Sequence, residues 1–185
     1  MGYAIADECA SRGADVTIIS GPVNVKPVAR DIRIINVTSA AEMYTESAKH
    51  FKESDIAVLS AAVADFTPKT TADHKIKRGR DNMSIELCPT VDIAEQLGKQ
   101  KADNQILVGF ALETDDEETH ALDKLKRKNL DFIVLNSLKN AGTCFGYDTN
   151  KIKIFDKSGG VAEYPLKSKR EVAKDIVDKI EICVK

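Results

Sequence analysis

Apolar and polar positions follow two periods along this chain, and the switches between them outline its elements. Residues 2–12 have a helical composition that stops at Gly13, a suitable C-cap, after which DVTIIS (15–20) and RDIRIINV (30–37) predict strands. Ser39 with Glu42 forms a capping box for a helix to about Lys52. DIAVLSAAVA (55–64) has no polar face and predicts a strand covered on both sides, as in parallel sheets. MSIEL (83–87) alternates as a strand does, and VDIAEQLGKQ (91–100) predicts a short helix. QILVGFALE (105–113) predicts a strand, followed by a helix with Thr114 and Glu117 as its cap, and DFIVLNS (131–137) predicts another buried strand. KIKIFD, a Gly-Gly turn and VAEYPL predict a hairpin, and Ser168 with Glu171 opens the last helix.

Strands alternating with helices predict an α/β domain: a doubly wound, mainly parallel sheet with an antiparallel hairpin near its end. No internal repeat, low-complexity tract or linker divides the chain. A nucleotide-binding α/β fold normally opens with strand, glycine-rich turn and helix, whereas this sequence opens inside the helix. GYAIADECASRGADVTIIS therefore reads as the second half of such a unit, with the first strand and phosphate loop missing from the sequence.

A length of 185 residues suits one well-buried domain. The formal net charge of -2 gives no global reason to bind nucleic acid or an acidic membrane, so any phosphate site must be local. No apolar run approaches the ~20 residues of a membrane span, and the N-terminus lacks the cationic start and apolar core of a signal peptide. A cytoplasmic location is the expectation. Cys9, Cys88, Cys144 and Cys183 form no CxxC pair, and His50, His74 and His120 are equally scattered, which points to reduced, incidental thiols rather than zinc or a disulfide framework.

Three stretches carry groups suited to chemistry. In SAAVADFTPKTTADHKIKRGRD, small residues Ala61 and Ala62 and then Asp65 sit where a strand ends, ahead of Lys75, Lys77, Arg78 and Arg80. Most charge runs are solvated loops, but ligands of open α/β sheets bind at the strands' C-terminal ends, and small residues admit a ligand close to the backbone. A mobile lysine there offers compact charge to a triphosphate. In GFALETDDEETHALDKLKRKNLD, Phe110, Ala111 and Glu113 reach the same rim, and Lys124 and Lys128 lie four apart on one helix face. Composition alone favours lysines that complement the helix dipole over a phosphate clamp. In NSLKNAGTCFGYDTNK, Asn136 lies at a strand end, and Gly142 and Gly146 suit either a lid or an ordinary connection stiffened by Phe145 and Tyr147.

SAAVADFTP, the KIK of the basic loop, VGFALET, KLKRKNLDFIVLN and FGYDTNKI, in this order and spacing, resemble phosphopantothenoylcysteine synthetase, a coenzyme A biosynthesis domain fused in many bacteria to a flavin decarboxylase. The resemblance covers essentially the whole sequence. It implies a Rossmann-like homodimer, with dimerisation through the hairpin region, that uses CTP and magnesium. Such an enzyme activates the carboxylate of 4'-phosphopantothenate as an acyl-cytidylate, releasing pyrophosphate, and the amine of L-cysteine then displaces CMP. By position it implies CTP-binding roles for Asp65 and Lys75, with Lys75 the mobile lid lysine, and places Ala61 and Ala62 beneath the acyl-cytidylate. Val91, Asp92, Ile93 and Ala94 match a segment that holds cytosine and ribose, Phe110 lines the same pocket, Lys124 and Lys128 match triphosphate-contacting lysines, and Asn136 is a weaker match. The family's usual Pro-Asp-Ile is Val91-Asp92-Ile93 here. Its first strand, glycine-rich loop and an asparagine that stabilises the acyl-cytidylate would lie ahead of Met1, so a chain truncated there is expected to lack part of the site. The decarboxylase domain is absent from the sequence, so no FMN is expected.

Two other readings stay open. A nicotinamide-dependent oxidoreductase would share the fold, although the chain has no GxGxxG turn. A non-catalytic nucleotide-binding module fits a chain without the phosphate loop.

Overall fold

The computed structural model describes residues 1–78, 82–113, 116–137 and 147–184. In chain order its elements are α1 (Gly2–Ser11), β1 (Thr17–Ser20), β2 (Arg33–Asn36), α2 (Ala40–Phe51), β3 (Ile56–Leu59), β4 (Phe66–Pro68), β5 (Leu87–Pro89) and α3 (Ile93–Gln100). They continue with β6 (Ile106–Glu113), α4 (Glu117–Arg127), β7 (Phe132–Ser137), β8 (Thr149–Asn150), β9 (Ile152–Asp156), β10 (Val161–Glu163), β11 (Lys167–Ser168) and α5 (Lys169–Val184).

The main sheet has the order β10-β9-β7-β6-β3, with β3, β6 and β7 parallel and β9 and β10 antiparallel to their neighbours. Alternate residues of its strands enter two cores. Val108, Phe132, Val134 and Ile154 pack against α1 and α5 through Ile5, Val172, Ile176 and Ile180. Leu107, Ala111, Ile133 and Leu135 pack on the other face against Phe51 of α2, Leu97 of α3 and Leu125 of α4. Helices on both faces of a mostly parallel sheet are the doubly wound arrangement that the alternating pattern predicts. The final hairpin also forms: Phe155 pairs with Val161 across a turn in which Gly159 has φ 88°, a left-handed conformation that glycine adopts without a Cβ clash.

The sheet is divided. Strands β1 and β2 form a separate parallel pair, Thr17 opposite Arg33 through Ser20 opposite Asn36, and among the described residues β3 pairs only with β6. The C-terminal ends of β1 and β3 converge on the start of α1. The Tyr3 hydroxyl is 2.8 Å from Ser20 Oγ, and a Cβ at Gly2 would come within 2.6 Å of Ser60 Oγ. Both strands thus point toward one rim of the molecule.

Three expectations need correction. The stretch 55–64 is not a strand covered on both sides: β3 ends at Leu59, its four residues are half-buried, and Ala61, Ala62 and Ala64 are exposed. Among the described residues one edge of β3 has no strand partner, and the strand stays half-exposed. MSIEL does not form a strand throughout, since only Leu87 enters β5. Its partner β4 is three residues long, and Met83 and Ile85 stand exposed with no surface to cover. The helix α4 has Asp116 at its N-cap, with φ 43° and no side-chain cap bond; Thr114 lies outside the described residues, as do Arg80, Gly142, Cys144, Phe145 and Gly146.

Elsewhere the capping signals hold. Ser39 Oγ accepts from the Glu42 N–H at 3.1 Å while Glu42 accepts from the Ser39 N–H at 3.2 Å, and Ser168 and Glu171 repeat the exchange at 3.2 and 3.0 Å. Among the described residues Cys9, Cys88 and Cys183 are free thiols, and burial pushes the Cys9 thiol up, away from the reactive thiolate.

Candidate functional site

The rim where the parallel strands end is built from the β3 exit, the β6 and β7 ends and the start of α1. Residues Ser60 to Asp65 leave β3 along this rim, and β4 then turns the chain into an antiparallel pair with β5, Phe66 opposite Pro89 and Pro68 opposite Leu87. The next ladder bond is from Lys69 N–H to Glu86 O at 2.9 Å, backed by Lys69 Nζ to Glu86 Oε1 at 2.7 Å. Lys75, Lys77 and Arg78 lie in the exposed segment that this base closes. The segment leaves the rim as an arm whose root lies beside Asp65, and Lys75 is exposed on it.

Closing that base brings two distant stretches together. Thr90 donates its N–H to Asp65 O at 2.9 Å and its hydroxyl to Ala64 O at 2.6 Å. Ala64 and Asp65 are thereby held next to Thr90, which leads directly into Val91, Asp92, Ile93 and Ala94, while Ala61 and Ala62 lie just upstream on the same exit from β3. Thr90 is a residue that the sequence reading missed. Nothing local marks it, because its role depends on a pairing across 26 positions.

Asp92 opens α3: its side chain accepts from the Glu95 N–H at 3.1 Å, and Ile93 behind it is buried at 8% exposure. The Lys128 ammonium reaches the same carboxylate, 3.0 Å from Oδ1 and 2.9 Å from Oδ2. Partial burial pushes the Asp92 carboxyl up, but the Lys128 ammonium and the Glu95 N–H outweigh it and hold the group below the usual carboxylate range. Lys128 is therefore more than a charge complementing a helix end. Its cation is delivered to the N-cap of a different helix, where backbone N–H groups also point outward. Lys124 is half-buried one turn earlier on α4.

Phe110 and Asn136 fall on the opposite face of the sheet. Phe110 is partly buried against the α1/α5 core, and Asn136, buried at 9% exposure at the end of β7, donates its amide to Asn150 Oδ1 at 3.2 Å. The residues of the sequence reading thus form two groups, one on each side of the rim. A ligand spanning both would lie across the strand ends. Tyr147 is exposed at 55%, so it does not stiffen its connection by burial. Among the described residues no three His, Cys, Asp or Glu gather as metal ligands.

Comparison with known proteins adds to this geometry. A family model described as the DNA/pantothenate metabolism flavoprotein C-terminal domain matches residues 1–183. A cysteine/cysteine sulfinic acid decarboxylase from an unknown prokaryotic organism is 60% identical over 180 residues, which are 97% of this chain and 50% of that protein. The coenzyme A biosynthesis bifunctional protein CoaBC of Bacillus subtilis is 47% identical over 97% of this chain and 44% of its own length. The crystal structure of the C-terminal domain of a CoaBC protein superposes with a TM-score of 0.82 at 37% identity, covering 99% of this chain and 81% of that one. The chain spans about half the length of the curated relatives it matches.

Proposed function

The chain belongs to the DNA/pantothenate metabolism flavoprotein C-terminal domain family, and from that premise we propose that it is the ligase domain of coenzyme A biosynthesis. It would join 4'-phosphopantothenate to L-cysteine at the expense of CTP. One observation carries the reading: Thr90 ties the Ala64–Asp65 exit of β3 to the segment that leads into the Asp92–Lys128 pair, while the Lys75 segment is rooted at the same place.

In the first step a carboxylate oxygen of phosphopantothenate attacks the α-phosphorus of CTP. The bond from that phosphorus to the bridging oxygen breaks, and pyrophosphate leaves. In the second the cysteine nitrogen attacks the acyl carbon, the acyl–phosphate bond breaks, CMP departs and the amine gives up a proton. A free carboxylate would have to expel oxide, whereas the cytidylate expels a stabilised phosphate. Cations are needed where charge gathers on the leaving pyrophosphate, the task assigned to Lys75, Lys124 and Lys128. Asp92, Val91 and Ala94 would face the nucleoside, Phe110 and Asn136 the far side of the rim. With no three-ligand cluster among the described residues, magnesium would arrive on the triphosphate and be held mainly by phosphate oxygens.

A homodimer is part of the proposal. Exposed Phe66, Ile76, Met83, Ile85 and Leu87 along the arm support it, because apolar positions collected on one projecting segment favour a protein partner. Among the described residues no helix is long and apolar enough to cross a membrane. A cytoplasmic site of action is part of the proposal.

The test is a calorimetric titration with CTP and magnesium, with ATP and NADH as controls, alongside an assay of pyrophosphate release. CTP-selective binding that weakens in Lys75→Ala, and pyrophosphate release that requires phosphopantothenate, support the ligase. Selective NADH binding would instead support an oxidoreductase, and CTP binding without turnover a nucleotide-binding module. The relative 60% identical favours a second reading, decarboxylation of cysteine or cysteine sulfinate. Carbon dioxide release from cysteine without CTP would establish it.

A further inference from the structure

The pairing of Lys128 with Asp92 depends on how the turn after α4 is seated on α3. Lys128 caps α4, Asn129 follows in the left-handed region at φ 50°, and Leu130 N–H returns to Leu125 O at 3.0 Å. Asparagine is among the few residues that tolerate this conformation. Its side chain is used as well: Asn129 Nδ2 donates to Gly98 O at 2.9 Å. That carbonyl lies in the last turn of α3, where carbonyls have no partner within the helix.

Gly98 is the other half of the contact. It is buried, and glycine in a helix is ordinarily a weakness. Here a Cβ would run into the Lys128 carbonyl oxygen, with the carbonyl carbon 2.8 Å away and Asn129 Cβ at 3.4 Å. Only a residue without a side chain lets the turn approach this closely. The Lys128 backbone is thereby pressed against the last turn of α3 while its ammonium reaches the N-cap at Asp92, six positions earlier. The side chain runs along the helix, and its reach is set by where its backbone is pinned.

We propose that Gly98 and Asn129 are positioning residues: they clamp the α4–β7 turn to α3 and so set the place of the Lys128 ammonium at the nucleotide site. The role toward a nucleotide rests on the ligase reading above; the control of the Lys128–Asp92 pair does not. Other charges near this pair are Glu95 and Arg127, 3.7 Å apart, and Lys99, 2.6 Å from Glu95.

The test uses the full chain and two readouts: the titration midpoint of the Asp92 carboxyl by carbon-detected NMR, and the Kd for CTP by calorimetry. Asn129→Gly keeps the left-handed turn and removes only the amide. We expect it to raise the Asp92 midpoint toward that of Lys128→Ala and to weaken CTP binding about fivefold to tenfold, the scale of one hydrogen bond. In the Lys128→Ala background the same substitution should change neither readout, whereas a merely structural role would add its cost in both backgrounds. Gly98→Ala should act in the same direction, and if it does not fold, Asn129→Gly carries the test. An Asp92 midpoint unmoved by Asn129→Gly, or an equal loss of CTP affinity in the double variant, overturns the proposal. If the parent chain binds no CTP, the Asp92 midpoint alone decides the clamp.

Discussion

Asp131 gathers three donors on one buried carboxylate: Lys101 Nζ at 2.8 Å and Leu107 N–H at 2.7 Å on Oδ2, and Lys157 Nζ at 2.6 Å on Oδ1. Burial pushes this carboxyl up, and the two ammonium groups with the N–H more than reverse that, so it lies below the usual range. A carboxyl depressed on folding contributes stability that is present above its unfolded pKa and lost as pH falls through the folded value. Urea midpoints of the parent chain should therefore drop as pH is taken below about 4, the ordinary carboxylate range. Asp131→Asn should flatten this part of the profile. Asp131→Ala should cost about 3–5 kcal/mol, because the Lys101 side chain, 7% exposed, is left buried without its partner. Thr90→Val keeps the shape and the backbone bond to Asp65 but loses the hydroxyl bond to Ala64. CTP affinity should fall on the order of fivefold, with little change in melting temperature.

Among the elements, those whose signals are local could be read directly. The capping boxes at Ser39 and Ser168 place two helix starts within a residue, and β6 and β7 follow from apolar runs that both core faces need. Removing the first cap by Ser39→Ala should lower stability by about 1 kcal/mol in urea denaturation. Elements that depend on a distant partner were less legible. The alternation of MSIEL counted for little once its partner strand ended at Pro68, and the smooth apolar run of 55–64 could not announce that, among the described residues, one flank of β3 has no strand partner. The site shows the same division. Asp92 as an N-cap could be inferred locally, but its contact with Lys128 requires α3 and α4 to lie side by side, and the Gly98 contact that fixes them is visible only in three dimensions.

At the scale of the molecule, the division between β1–β2 and the main sheet predicts unequal resistance to opening. The described residues of β7 are almost entirely buried, whereas β1 and β2 are largely half-exposed and β3 has a single partner among the described residues. Amide hydrogen exchange should be slowest in β6 and β7, near the global unfolding limit, and faster in β1, β2 and β3 through partial openings. The arm has a different consequence. Because Thr90, the β4–β5 ladder and the Lys69–Glu86 rung close it at the root, what lies beyond that rung behaves as a cassette plugged into a fixed socket. Doubling the length of such a loop adds only about 0.6 kcal/mol of closure entropy. Replacing the segment beyond Lys69 and Glu86 with a longer glycine-serine stretch should therefore leave the unfolding midpoint nearly unchanged while removing Lys75 and, on the proposed ligase reading, abolishing CTP-dependent turnover. Evolution or a designer could retune what this domain grips by exchanging the cassette and leaving the socket alone.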